Sequence, residues 1–224
     1  MSKSDSIQGF RIRSILESDL PELAELHGEC FPGSFLARLG TSTLGLYLGW
    51  LVVRTRNRPC TLVAVDDSGI IGYLSAGCFT ENVHVSFMKE HRLRLALGIL
   101  LRPRVMFHPD FKTKVHRAWI GLRRYGADSK AAPNLTKDPV ASTKKWSKAR
   151  FHILSVAVSP RGRRRGIGSA LLSEGMIEAR ARDCAFMDAA VAASNSASLG
   201  LFTGFGFEIL DPTASSIQVK YILG

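Results

Sequence analysis

The chain has 224 residues, a net charge of +11 and a hydrophobic fraction of 46%. That length holds one generous domain or one domain with an elaboration, and the composition is that of an ordinary globular protein. No apolar run reaches the roughly 18 residues of a membrane span, and the opening Met1-Ser2-Lys3-Ser4-Asp5 lacks a signal-peptide core.

In chain order, Phe10 to Ile15 alternates apolar and polar and predicts a half-buried strand. Glu17 to Cys30 predicts a helix, with Leu20, Leu23, Leu26 and His27 on one face. After Pro32-Gly33, the span 35–54 reads as a second helix broken near Gly40, with Leu44, Tyr47, Leu48 and Leu51 on one stripe. Thr61 to Val65 and Ile70 to Gly77 predict two strands around the turn Asp66-Asp67-Ser68-Gly69.

Residues 82–150 are compositionally different. They hold 16 Lys and Arg against 4 Asp and Glu, a net of +12, while the other 155 residues hold 14 against 15. The basicity therefore belongs to an insertion rather than to the fold, and it suits an acidic surface or an anionic substrate. Within it, 91–107 reads as a basic, apolar helix interrupted at Pro103; core cover or a homodimer contact is the expected use, ahead of a membrane-surface role. Residues 126–149 read as a loop. Only Trp119, Tyr125, Trp146 and a few Phe interleave the charges, so nucleic acid is not the expected partner.

Phe151 to Val158 predicts a strand, Ser169 to Arg182 a helix, Ala185 to Val191 a strand, Ser196 to Phe205 a helix, and Ser216 to Leu223 a closing strand. Between the first two lies Pro160-Arg161-Gly162-Arg163-Arg164-Arg165-Gly166-Ile167-Gly168-Ser169. Such a turn aims backbone N–H groups at one spot, at the positive end of a helix dipole, and arginines add donors. Its ligand is a polyanion, most simply a pyrophosphate. A P-loop would need Gly-Lys-Ser/Thr, which the chain lacks, and a dinucleotide fingerprint would need glycine where Leu171 stands. Cys30, Cys60, Cys78 and Cys184 show no metal-ligand spacing; scattered thiols suit a reducing cytoplasm, and no metal is expected.

Arg163-x-x-Gly166-x-Gly168 resembles the R/Q-x-x-G-x-G/A signature of the GCN5-related N-acetyltransferases (GNAT), and Pro160 sits where that family often has a proline. Asn195 to Phe207 resembles the family's later block N-x-x-A-x-x-L-Y-x-x-x-G-F, with Asn195, Leu201, Gly206 and Phe207 matching and Phe202 in place of the tyrosine. The resemblance is firm over 151–210 and absent over 82–150. It implies a single domain, 1–224, of mixed α/β class: a central mixed sheet flanked by helices, carrying the basic insertion. It implies an acyltransferase moving an acetyl group from acetyl-CoA to a primary amine. Val156, Ala157 and Val158 would hold the pantetheine arm by their backbone. Arg163, Arg164, Arg165, Gly166, Ile167, Gly168 and Ser169 would cradle the pyrophosphate, with Asn195 and Phe202 contributing from the next helix. Arg161 is read as solvated.

The catalytic groups are less standard. The tyrosine that many relatives use as acid is Phe202, and a position sometimes occupied by glutamate is Ala190. Another subgroup keeps its base eleven residues before the signature, where this chain has His152; an imidazole suits a base at neutral pH. A period of two puts His152 on the face of Leu154, Val156 and Val158. Asp188 is the weaker alternative base. Phe31-Pro32-Gly33-Ser34-Phe35-Leu36 is similar to a bacterial subgroup linked with cell-surface sugar synthesis, which implies an amino sugar or a nucleotide-linked amino sugar as acceptor. The competing readings are a protein N-terminal or lysine acetyltransferase, and a non-catalytic acyl-CoA-binding or nucleic-acid-binding module using the insertion.

Overall fold

A computed structural model describes residues 9–53, 59–79, 83–100, 150–213 and 216–223. Its strands are β1 (Arg11–Ser14), β2 (Cys60–Asp66), β3 (Gly69–Gly77), β4 (Arg150–Val158), β5 (Phe186–Ala192), β6 (Glu208–Pro212) and β7 (Ser216–Ile222). Its helices are α1 (Leu20–Cys30), α2 (Phe35–Arg38), α3 (Thr41–Val53), α4 (Val83–Glu90), α5 (Arg92–Leu100), α6 (Ile167–Ala181) and α7 (Ser196–Gly204). The seven strands form one sheet in the order β1-β2-β3-β4-β5-β7-β6. Among the described residues only the β4–β5 pair is parallel.

The sheet is covered on both faces. On one, α6 contributes Ile167, Leu171, Leu172, Met176 and Ala179, and α7 contributes Phe202, against Leu74, Phe151, Ile153 and Met187. On the other, Leu23 and Leu26 of α1 and Leu44, Tyr47, Leu48 and Leu51 of α3 pack on Val63 and Tyr73. This two-sided cover explains why β3 reads as an almost unbroken buried run rather than an alternating one. The stripe expected on α3 is buried as read, and the helix breaks at Gly40.

Two elements escaped the sequence reading. The edge strand β6 is short and contains Pro212, a residue tolerated only at sheet edges. Helix α4 lies inside the segment read as an insertion, yet its Val83 and Phe87, with Leu95 of α5, belong to the core under α1 and α3. The helix read at 91–107 is described from Arg92 to Leu100, and it does cover the core through Leu95. Leu93, Leu97 and Leu100 remain exposed. The loop read at 126–149 lies outside the described residues. Among the described residues, no helix is long and apolar enough to cross a membrane.

The β2–β3 hairpin is tied to α1 and to the arginine-rich turn. Gly69 has φ 107° and lies against Glu22, whose Oε1 accepts the Ile70 N–H at 2.6 Å; a side chain at 69 would meet that carboxylate. At the hairpin tip, Asp66 accepts from Ser68 and from Arg165 Nη1 at 3.0 Å. Hydrogen bonds from Ser68 first, then from Arg165, hold the Asp66 carboxyl down at about 2. Because the folded value is the lower one, the group adds stability above the unfolded carboxylate range near 4, and that stability is lost as the pH falls through about 2. Asp66→Asn is therefore expected to lower Tm at pH 5, with the gap to the parent closing by pH 2. A gap that stays constant across that range rejects the assignment.

Candidate functional site

Strand β4 changes character along its length. Arg150 to Ile153 pair in parallel with Phe186 to Ala189 of β5. Beyond Ile153 the strands part: β5 continues along β7, and the β5-facing edge of β4 from Leu154 to Val158 has no strand beside it among the described residues. At the same point the β3 ladder jumps from Ser75↔Ser155 to Ala76↔Ile153, leaving Leu154 as a β-bulge. A bulge bends and twists its strand, which fits the splay.

The bulge also corrects the expected facing of His152. Upstream of it, Phe151 and Ile153 face α6; downstream, Val156 and Val158 do. Leu154 and Ala157 face α1 and α3. His152 thus shares its face with Leu154 and Ala157, not with Val156 and Val158, because the extra residue reverses the alternation.

The arginine-rich turn follows immediately. Pro160–Gly162 is a single 3-10 turn, Arg164 has φ 60° and Gly166 φ 78°, and α6 starts at Ile167 with Gly166 as its cap. Left-handed residues on either side of Arg165 turn successive N–H groups toward one side, the geometry of an anion nest. The N–H groups of Arg164 to Ser169 donate to no backbone carbonyl among the described residues, and no side chain caps α6; Ala170 makes the first helical bond, to Gly166 O. A left-handed arginine at Arg164 is a conformation that proteins keep chiefly at functional positions.

The arginines divide. Arg165 donates to Asp66 and, at 3.2 Å, to Gly9 O, so its side chain braces the hairpin. Arg161, expected to be solvated, instead donates to Ser68 O at 3.2 Å and Ile70 O at 3.4 Å. Arg163 and Arg164 are exposed and are the arginines left to meet an anion.

Asn195 caps α7: its Oδ1 accepts from Ser198 N–H at 3.1 Å, leaving its amide N–H pair for other partners. Phe202, read as a cofactor contact, is 2% exposed, with its ring edge-to-face against Phe207 at 5.0 Å. That side chain is part of the core.

The two catalytic candidates are brought together. His152 and Asp188 are directly paired across β4 and β5, and His152 Nδ1 lies 3.1 Å from Asp188 Oδ1. Arg150 Nε donates to Asp188 Oδ1 at 2.7 Å and its Nη2 donates to Oδ2. Burial pushes the Asp188 carboxyl up, but the hydrogen bonds from His152 and Arg150 outweigh it and hold the group below its ordinary range. Arg150 Nη2 also lies 3.0 Å from His152 Nδ1; where Nδ1 carries the proton and donates it to the Asp188 carboxylate, the proton-accepting lone pair is on Nε2. Arg150 was not picked out from the sequence; its position two before His152 on a strand, hence on the same face, was the available signal.

On the same side of the sheet, His27 of α1 contacts Tyr73 of β3, Nδ1 to Oη 2.5 Å. Burial, helped by nearby His84, lowers the His27 ring to about 4, so it is neutral at pH 7. Burial raises the Tyr73 phenol, which keeps its proton and also hydrogen-bonds Ser155. Cys30, at the end of α1, has its Sγ 3.6 Å from Val158 O. Among the described residues no group of three or more His, Cys, Asp or Glu is arranged to hold a metal.

Residues 118–207 match the model of the acetyltransferase (GNAT) family. No curated protein matches the chain. Among solved structures, the fold is similar to a ribosomal-protein-alanine N-acetyltransferase from Brucella melitensis, at 20% identity over 95% of this chain and 99% of that one, with a TM-score of 0.55. It is similar to a phosphinothricin acetyltransferase from Sinorhizobium meliloti in complex with AcCoA, at 16% identity over 96% and 89%, TM-score 0.56. It is also similar to the PaiA N-acetyltransferase from Thermoplasma acidophilum in complex with coenzyme A, at 14% identity over 95% and 98%, TM-score 0.56. The match over 118–207 begins inside the stretch read as an insertion. Residues 118–207 thus carry a match to the acetyltransferase (GNAT) family, on a fold the chain shares with these acetyltransferases.

Proposed function

We propose that this protein transfers an acetyl group from acetyl-CoA to the primary amine of a small molecule, as one domain, 1–224, elaborated between 82 and 150. The observation that carries the reading is the pairing of an anion nest at 164–169 with an open strand edge at 154–158. Together they fit a ligand with a pyrophosphate at one end and an amide-bearing arm at the other. The donors are backbone N–H groups without internal partners among the described residues, plus the side chains of Arg163 and Arg164. Val156, Ala157 and Val158 would pair with the arm. When bound, acetyl-CoA supplies an acyl group activated as a thioester.

The chain's own residues supply the proton chemistry. His152 Nε2 takes a proton from the acceptor ammonium, and Asp188, held ionised by Arg150, orients the ring and offsets the charge that forms on it. Asp188 itself is a poor base, since its carboxyl is more acidic than usual. The departing thiolate belongs to a thiol of ordinary pKa near 8.5 and leaves without a strong acid, consistent with Phe202 in place of a tyrosine. An amino sugar is the favoured acceptor, on the similarity of residues 31–36 to the sugar-linked subgroup. The proteins of similar fold are named for a ribosomal-protein alanine in one case and phosphinothricin in another.

Thiol release from acetyl-CoA across amino sugars, polyamines, amino acids and peptides tests the reading. Release with an amino sugar and not with peptides is expected; turnover of peptides alone transfers the assignment to a protein acetyltransferase, and absence of release with every amine rejects catalysis. Acetyl-CoA at about a hundred times its Kd should stabilise the fold by about 2.7 kcal/mol and raise Tm accordingly. An unmoved Tm rejects the cofactor site. The arginines offer a sharper check. Arg164→Glu is expected to weaken acetyl-CoA binding by about tenfold or more, because it exchanges a charge-assisted bond for repulsion. Arg165→Ala, with its side chain turned to Asp66 and Gly9, is expected to change binding by less than about threefold. The reverse ranking in a titration would reject the division of labour among these arginines.

A further inference from the structure

We propose that Cys78 and Cys184 form a site of reversible oxidation, closed into an intramolecular disulfide by a peroxide-class oxidant. The two thiols are far apart in sequence, but their Sγ atoms lie 3.0 Å from each other. A disulfide bond is about 2.05 Å long, so closure asks for a sulfur displacement of about 1 Å. Cys78 directly follows β3 and is half-buried; Cys184 lies between α6 and β5 and is buried. Both positions are in short connections rather than inside a ladder, which leaves room for that adjustment.

The chemistry has a natural order. Burial, and then the hydrogen bond with Cys78, pushes the Cys184 thiol up to about 12, so it is seldom a thiolate. Cys78 is the more accessible partner and attacks first. Its thiolate takes one peroxide oxygen, the O–O bond breaks, and the other oxygen leaves as hydroxide and is protonated. The resulting sulfenic acid is then attacked by the Cys184 sulfur; the S–S bond forms, the S–O bond breaks, and water departs with the Cys184 proton. Two thiols are oxidised by two electrons, and one peroxide is reduced to two waters.

The bond would span the strand that carries His152. Gly77, just before Cys78, pairs with His152 from one side, and Asp188, four residues after Cys184, pairs with it from the other. It would also close a long loop containing the whole turn at 163–169. Long closed loops restrict the unfolded chain most, so oxidation is expected to raise Tm by several degrees.

The test uses the full chain and hydrogen peroxide, followed by alkylation, digestion and mass spectrometry. Of the four cysteines, two are expected to lose alkylation and to appear in one linked peptide pair, reversibly with dithiothreitol and with the rise in Tm. Cys30→Ser should keep the linkage and the stabilisation, whereas Cys78→Ser, at a half-buried position, should abolish both. Four thiols still reactive after peroxide would overturn the proposal. So would linkage through Cys30 or Cys60, a dimer between chains, or sulfinic acid at Cys78 without a cross-link. None of these readouts depends on acyl transfer, so failure of the acetyltransferase reading would leave this result standing, and the reverse.

Discussion

His152→Gln is expected to lower turnover at neutral pH by about 100-fold or more while acetyl-CoA affinity stays nearly unchanged. A positioned general base contributes roughly that factor, and glutamine keeps the ring's approximate size and polarity without its basicity. The side chain is on the α1/α3 face of β4, opposite Val156 and Val158, so its loss should leave the pantetheine-binding strand edge intact. Asp188→Asn should reduce turnover less than His152→Gln, since the base remains and only its orientation and charge partner are lost. Steady-state kinetics combined with a direct binding titration separates the cases. If His152→Gln retains activity within threefold of the parent, His152 is not the base. If it loses acetyl-CoA binding in proportion to activity, its role is structural.

Phe202→Ala should cost about 3–5 kcal/mol of stability, the range for truncating a large aromatic in a close-packed core. The ring is 2% exposed and sits with Leu171, Leu172 and Phe207 in the core under α6 and α7. For a chain of this length that loss corresponds to a fall in Tm of about 10 °C. The companion change Phe202→Tyr restores the family's usual residue. It is expected to destabilise by about 1–3 kcal/mol if the added hydroxyl stays buried without a partner, and to bring no increase in rate. Thermal unfolding and a rate assay decide between core and acid. A loss under about 1 kcal/mol for Phe202→Ala, or a faster Phe202→Tyr enzyme, would show that the position opens onto the reacting groups.

These expectations show where the sequence was legible. Glycine spacing and the flanking strand and helix periods located the turn at 160–169, because a left-handed cap such as Gly166 leaves a glycine in the sequence. The β2–β3 hairpin and the stripe on α3 were equally plain, since turn chemistry and a continuous apolar face are local signals. What failed was non-local. The phase of His152 depends on an unpaired Leu154, visible only once β3 is laid beside β4. The separate duties of Arg163, Arg164 and Arg165 are set by Asp66 and Gly9, far off in the chain. Helix α4 was hidden inside a segment read as an insertion, because net charge says nothing about which apolar residues reach a core. Cys78 and Cys184 are separated by 106 positions, and thiol spacing in sequence carries no record of their contact.

The bulge at Leu154 has one more consequence. It makes β4 two half-strands in opposite phase, one offering side chains to one face of the sheet and the other offering backbone to the gap beside it. Length there is counted in parity. Removing Leu154 would restore a regular ladder and still leave His152 on the α1/α3 side, because three regular steps put it opposite Val156 just as four steps with a bulge do. What the bulge absorbs is therefore the extra residue itself: a chain of the same length paired without it would carry His152 to the α6 side, so the bulge is what keeps the base beside α1 and α3.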